Sequence, residues 1–228
     1  MRMTSCDFQI AKQFNFLRSM TEVERAELTK TSSPRHLQKG EVLFMEAEQL
    51  QKLFCIREGA CKFSKIDEKG KEHITKLLGK GELMGRRSLI SKKGAMVTAT
   101  AITDTTICSV DKLPVLRCLM KNTDFCMDVI KGFVEYTDEE AKRKGLFDNH
   151  QSITKRLAGL LIYLDEKFGT ERDGTLKLFL KREDMANLIG TSSEYVISIL
   201  SRFKRGGLLD LERGKIRLLD KKGLEKMC

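Results

Sequence analysis

The sequence predicts an α+β protein: a β-rich N-terminal half, a long connecting helix and a C-terminal winged helix-turn-helix. Three observations predict it. Between residues 37 and 111, short apolar runs alternate with the turn residues Gly40, Gly59, Gly70, Gly79, Gly81 and Gly85. Phe125, Val129, Phe133 and Tyr136 recur at helical steps of four, four and three. Residues 182–205, REDMANLIGTSSEYVISILSRFKR, space Ala186, Gly190, Val196 and Ile199 as two helices packed across a tight corner require.

The elements follow in order. Residues 1–20 read as a helical segment with Phe14 and Leu17 as its apolar stripe. Thr21-Glu22-Val23-Glu24 opens a second helix with a favourable N-cap, and Pro34 ends that region. Segments 42–44, 53–56, 61–63, 74–78, 97–101 and 106–110 have strand lengths, and Asp67-Glu68-Lys69-Gly70-Lys71 signals a hairpin turn. Short strands at this spacing indicate a sandwich or barrel. Residues 112–144 turn helical. Their aromatic stripe either packs on its own domain or pairs with a twin, and a bulky seam on a long connecting helix favours the twin. Gly145 marks a kink or hinge.

Residues 152–168 carry Ile153, Leu157, Leu160, Leu161 and Leu164 on one helical side. Leu176-Lys177-Leu178 reads as an edge strand. At the corner of the helix-turn-helix, Gly190 supplies a positive φ without steric cost. After it, residues 208–219 read as two strands around Arg213-Gly214, the wing. Expected boundaries are 1–120 for the β domain, 121–148 for the long helix and hinge, and 149–228 for the winged domain.

Composition narrows the partner. The 228 residues hold 42 Lys and Arg against 32 Asp and Glu, a net charge of +10. That excess suits a polyanion, nucleic acid ahead of a membrane surface. It is concentrated: Arg202, Lys204, Arg205, Arg213, Lys215, Arg217, Lys221 and Lys222 face only Asp210, Glu212 and Asp220 between positions 202 and 222. No apolar run approaches the ~20 residues of a membrane-spanning helix. The N-terminus has no signal-peptide core, so a cytoplasmic location is expected. Seven cysteines suit reduced thiols better than a disulfide framework. No Ser/His/Asp set, HExxH or P-loop points to an enzyme.

Three motifs then stand in order: Lys39-Gly40-Glu41-Val42-Leu43-Phe44 with Ile56 and Gly59, Leu78-Gly79-Lys80-Gly81-Glu82-Leu83-Met84-Gly85, and Ala101-Ile102-Thr103-Asp104-Thr105. With the winged helix, the chain resembles the CRP/FNR (catabolite activator/fumarate-nitrate regulator) family of bacterial transcription regulators. The resemblance covers residues 16–226. It implies an N-terminal β-roll (a double-stranded β-helix) as sensor, a long dimerisation helix and a C-terminal DNA-reading domain. It also implies a homodimer on double-stranded DNA with RNA polymerase as a further partner. On this reading Phe125, Val129, Phe133 and Tyr136 form the dimer helix seam.

The same resemblance sets expectations for the sensor. Cyclic-nucleotide binders of the family carry Glu after the glycine matching Gly85, and an Arg-Ser or Arg-Thr pair before the last strands. Here those positions hold Arg86, followed by Arg87, and Ala95-Met96. Ala and Met offer an anionic phosphate neither cation nor hydroxyl. Cyclic AMP is therefore not the expected effector; Arg86 and Arg87 either meet another anion or are surface charges. An iron–sulfur cluster needs four converging thiolates. Only Cys6 lies near the N-terminus and no CxxC occurs, so a cluster is not expected. Haem stays open, as in nitric-oxide-sensing relatives, with His36, His73 and His150 as candidates or as ordinary surface residues. The alternative function is thus a cyclic-nucleotide-binding-like module sensing haem, nitric oxide or another small ligand. No metal ligand set is expected.

Thr191-Ser192-Ser193-Glu194 fits a capping box with Thr191 as N-cap. Family members read bases with residues matching Ser193, Glu194, Ile197 and Ser198, so those four are the expected readers. Glu194 suits a cytosine amino group, a helix cap, or both. Ser192 and Tyr195 are better placed for phosphate, and Arg202, Lys204, Arg205, Arg213 and Lys215 for clamping the backbone. The family commonly has Arg where this chain has Ser193 and Ser198, so a different DNA site is expected.

Overall fold

The computed structural model describes residues 19–30, 32–146 and 151–228, apart from the side chains of 29, 139, 140 and 142–146. Most of the expected helix over residues 1–20 lies outside the described residues. Two units emerge. One joins the chain up to Lys65 with Thr75–Asp138; the other gathers the hairpin tip Ile66–Ile74 and Glu139–Cys228. The division falls inside the long helix.

In the first unit, α1 (Glu22–Lys30) begins with a reciprocal cap. Glu24 N donates to Thr21 Oγ1 at 3.3 Å and Thr21 N to Glu24 Oε2 at 2.8 Å. Eight strands follow: β1 (Ser33–Leu37), β2 (Val42–Phe44), β3 (Lys52–Glu58), β4 (Cys61–Ile66), β5 (Glu72–Leu78), β6 (Leu83–Met84), β7 (Thr98–Ala101) and β8 (Thr105–Asp111). They form two four-stranded sheets, ordered β1-β8-β3-β6 and β2-β7-β4-β5. Residues of both sheets, among them Leu37, Phe44, Ile56, Leu78, Met84 and Ile107, make one buried cluster. The sheet-rich domain is therefore the expected roll.

Two strands had no legible pattern. β1 includes Pro34, which the sequence suggested as a terminator. It sits opposite Cys108 in an edge strand, where a missing N–H is tolerated. β6 spans only two residues. At Gly59 (φ +90), an added Cβ would lie 2.5 Å from Asp104 O, so glycine alone fits that turn.

The helical region is broken at Asn122 into α2 (Lys112–Lys121) and α3 (Thr123–Leu146). Asn122 Oδ1 accepts from Phe125 N at 2.9 Å, capping α3, while its Nδ2 donates to Ser19 O at 2.9 Å and Glu24 Oε2 at 3.0 Å. Phe125 is fully buried with Leu28, Leu53, Val110 and Val115, and Val129 packs on the same cluster. Two residues of the expected stripe thus pack on their own unit, while Phe133 and Tyr136 are half-buried. A different stripe is open: Met127, Ile130 and Val134, 48, 48 and 55% exposed.

In the second unit, α4 (Ile153–Phe168) starts where Ser152 Oγ accepts from Lys155 N at 3.3 Å. Leu157, Leu160, Leu161 and Leu164 are fully buried, each worth ~1.5–3 kcal/mol against exposure. Against α4 pack α5 (Arg182–Ile189), α6 (Ser193–Arg205) and α7 (Lys221–Glu225), and the hairpin of β9 (Leu209–Glu212) and β10 (Lys215–Leu218) meets α6 through β9. The expected edge strand at 176–178 is reduced to isolated bridges, Thr170 with Leu176 and Thr175 with Arg217.

Candidate nucleic-acid interface

The corner between α5 and α6 is built as the sequence requires. Gly190 ends α5 at φ 67, ψ 53, and Thr191 N donates to Ala186 O at 3.0 Å. Ala186 is buried at this approach, and Val196, Ile199, Leu200 and Phe203 line the inner side of α6. The N-cap is Ser192 rather than Thr191: Ser192 Oγ accepts from Tyr195 N at 3.3 Å. Two adjacent hydroxyls made the position ambiguous, and the extended φ/ψ of Ser192 settles it. Glu194 then stands in the first turn. Its own amide and the Ser192 hydroxyl hold its carboxyl below the usual range.

The outer side of α6 presents Glu194, Tyr195, Ile197 and Ser198, all exposed, with Ser193 half-buried at its start. Ile197 is 51% exposed. Folding gains nothing from an isoleucine there, whereas a thymine methyl group would.

The basic residues separate into two kinds. Arg202 Nη2 donates to Thr154 Oγ1 at 2.9 Å, tying α6 to α4. Lys204 Nζ pairs with Asp210 Oδ1 at 2.8 Å, and Arg217 Nη2 with Asp210 Oδ2 at 2.9 Å. Lys204, foremost, together with the Leu211 amide and Arg217 holds the Asp210 carboxyl down to about 2. Lys204 is thus in part a pin between α6 and the wing. Arg205, Arg213 and Lys215 are exposed beside it.

The wing turn is a two-residue loop, since Glu212 and Lys215 still pair in register. Both loop residues have left-handed backbones, Arg213 at φ 48 and Gly214 at φ 84. That is the hairpin geometry whose twist suits the strands, and glycine or asparagine usually fills it. Arginine at such a position costs roughly 1–2 kcal/mol. The turn is braced from behind: Gly214 O accepts from Arg182 Nη2 at 3.2 Å, and a Cβ on Gly214 would sit 3.2 Å from the Phe179 ring. Beside the wing is a cleft of about 520 Å³ lined by both signs of charge, including Arg172, Asp173, Arg213 and Arg217.

The residues expected at the effector site do not converge as a phosphate cradle. Gly85 (φ 82) begins a short 3-10 helix, Arg86–Leu89. Arg86 turns onto α3: its guanidinium carbon lies 4.3 Å from the Tyr136 ring centroid, and Nη1 donates to Gly132 O at 3.4 Å. Phe133 is 5.9 Å from the same guanidinium. The buried Lys76 Nζ sits 4.0 Å from the Tyr136 centroid and 3.6 Å from Glu82 Oε1. Arg87 and Met96 are exposed, and Ala95 packs on the sheet cluster.

His36 Nδ1 hydrogen-bonds Thr106 Oγ1 at 3.1 Å and His73 Nε2 meets Asp67 Oδ2 at 2.7 Å, both on the surface; His150 lies outside the described residues. Among the described residues, no group of three His, Cys, Asp or Glu is placed to hold a metal ion. Cys55, Cys61, Cys118, Cys126 and Cys228 are free thiols. Burial pushes Cys55, Cys61 and Cys118 up to about 12, which suppresses thiolate chemistry. Cys108 is disulfide-bonded. No described helix is long and apolar enough to cross a membrane.

A strand roll followed by a winged helix-turn-helix with an uncovered second helix defines a DNA-binding transcription regulator. The Cyclic nucleotide-binding domain family matches residues 34–122 and the Crp-like helix-turn-helix domain family residues 155–227. The chain belongs to the CRP/FNR family of transcription regulators. It is 28% identical over 197 residues to the transcriptional activator protein FnrA of Stutzerimonas stutzeri, covering 83% of this chain and 78% of the relative. Identity is 24% over 209 residues to the CRP-like cAMP-activated global transcriptional regulator of Mycobacterium tuberculosis, covering 88% and 90%. Among solved structures, FixK2 from Bradyrhizobium japonicum shares the fold at TM-score 0.76 and 19% identity, over 86% of this chain and 96% of its own. A CRP/FNR-family regulator from Eubacterium rectale does so at TM-score 0.74 and 19% identity, over 95% and 98%.

Proposed function

We propose that the protein binds double-stranded DNA as a homodimer in the cytoplasm, one α6 in each of two successive major-groove turns, and performs no catalysis. The observation that carries this is the two-sided character of α6. Val196, Ile199, Leu200 and Phe203 anchor one side, while Glu194, Tyr195, Ile197 and Ser198 stand uncovered on the other. Ser193, Glu194, Ile197 and Ser198 read bases; Ser192, Arg202, Arg205 and Lys215 hold the backbone. RNA polymerase is the further partner at the promoter.

The dimer seam in this reading moves to Met127, Ile130 and Val134. Their steps of three and four are those of a coiled-coil a/d stripe, and a lone helix has no use for them in water. The effector is a ligand other than cyclic AMP, or none. Arg86 already engages Tyr136, and Ala95 and Met96 supply no phosphate ligand.

Selection of bound sequences from random duplexes tests the reading. The expected product is a palindrome whose half-sites lie one helical turn apart, ~34–36 Å. Failure to enrich any sequence at low salt would overturn it.

A further inference from the structure

We infer that Arg213, at the tip of the wing, enters the minor groove beside the recognition site and selects for A·T-rich flanks. This rests on α6 reading the neighbouring major groove.

The starting point is a residue in the wrong place for folding. Arg213 occupies a left-handed backbone at φ 48 in a two-residue turn where asparagine or glycine is better suited. Strain of this kind persists where the side chain serves a purpose the fold does not. Among the described residues, nothing pairs with its guanidinium, and the side chain is exposed.

The surroundings hold the tip still. Behind it, Arg182 grips Gly214 O and the Phe179 ring abuts the Gly214 backbone. Below it, Arg217 and Asp210 pair across the hairpin at 2.9 Å. A braced two-residue turn is narrow, and it presents one cation at its furthest point.

Charge argues for a groove rather than a row of phosphates. Glu212 and Lys215 face each other in register directly beneath the turn and contribute opposite charges. The shaft of the hairpin is therefore neutral, with a carboxylate next to Arg213 that a phosphate clamp would avoid. A narrow A·T minor groove concentrates negative potential in its interior, where a single arginine reaches it. Arg205 and Lys215 remain for the backbone.

The test uses the full-length protein and a site selected from random DNA, with the core fixed and the flanks varied. Flanks are A·T tracts, G·C, and inosine·C, which gives the minor groove of A·T with a major groove close to that of G·C. The wild type should prefer A·T and inosine·C over G·C by about tenfold. Arg213→Asn and Arg213→Gly suit the left-handed turn, so they should melt no lower than wild type. They should also bind all three flanks within about twofold. An undiminished flank preference in either variant overturns the inference. So does an equal loss on every flank with a shallower salt slope, which marks a phosphate contact. A wild type that binds no duplex at all would overturn the DNA reading itself, a result recognisable before any variant is made.

Discussion

At the residue scale, backbone geometry decides which side chains are replaceable. Gly59→Ala combines a positive φ with a Cβ 2.5 Å from Asp104 O, so a loss of ~1–3 kcal/mol in denaturant unfolding is expected. A loss below a few tenths would show that the turn yields. Ser193→Arg should convert a permissive contact into one demanding guanine, with ~1–3 kcal/mol of discrimination at one base pair. An unchanged binding preference in a sequence selection would place Ser193 off the bases. Asp210 titrates lower folded, at about 2, than its ordinary 3.8. Its pairing with Lys204 and Arg217 therefore contributes fully above the ordinary value and is lost as pH falls from about 4 towards 2. Amide exchange in β9 and β10 should accelerate across that window in the wild type, and less so in Asp210→Asn. Some of this was legible beforehand. Gly190 announces its own positive φ, because glycine is the residue that occupies it cheaply. Arg213 announces nothing, because no arginine advertises a left-handed backbone. The partners of Arg202 and Lys204 were hidden too, since Thr154 and Asp210 come to them only through the fold.

At the scale of elements, the sequence located helices better than it oriented them. α4, α6 and the wing strands fall where their periodicity put them, because each has one apolar face and a clear cap. α3 has two apolar faces. Phe125, Val129, Phe133 and Tyr136 make the bulkier one, and bulk suggested the partner-facing side. In the structure Phe125 is buried and Val129 packs beside it, while Phe133 and Tyr136 stay half-buried with Arg86 against their rings. The aliphatic residues Met127, Ile130 and Val134 are left outward. Ile130→Glu should therefore weaken self-association by ~1–3 kcal/mol without lowering the melting temperature of a dilute sample. Sedimentation at graded concentrations measures it, and an unaltered dimer would remove α3's outer face from the interface. β1 escaped notice because Ser33-Pro34-Arg35-His36 shows no alternation; only Leu37 points inward. Its pairing with β8 is a tertiary fact that local pattern does not carry.

At the scale of the whole molecule, a net charge of +10 becomes a statement about salt. If each copy sets about three cations on phosphates, the slope of log affinity against log salt is about −5. Replacing Arg205 by Ala should weaken binding on every sequence and flatten that slope by roughly 1–2 for the dimer. Unchanged affinity and slope would exclude Arg205 from the backbone contacts. Asn122 has a reach of another kind. Its side chain joins Ser19, Glu24 and the first turn of α3, so one amide fixes where that helix begins. Where a helix begins also sets its rotational phase, because each residue advances it by about 100°. A single residue inserted after Asn122 would turn the aromatic stripe by about 100°, away from the side it now covers. The same junction thus chooses which side of α3 is available to a neighbour.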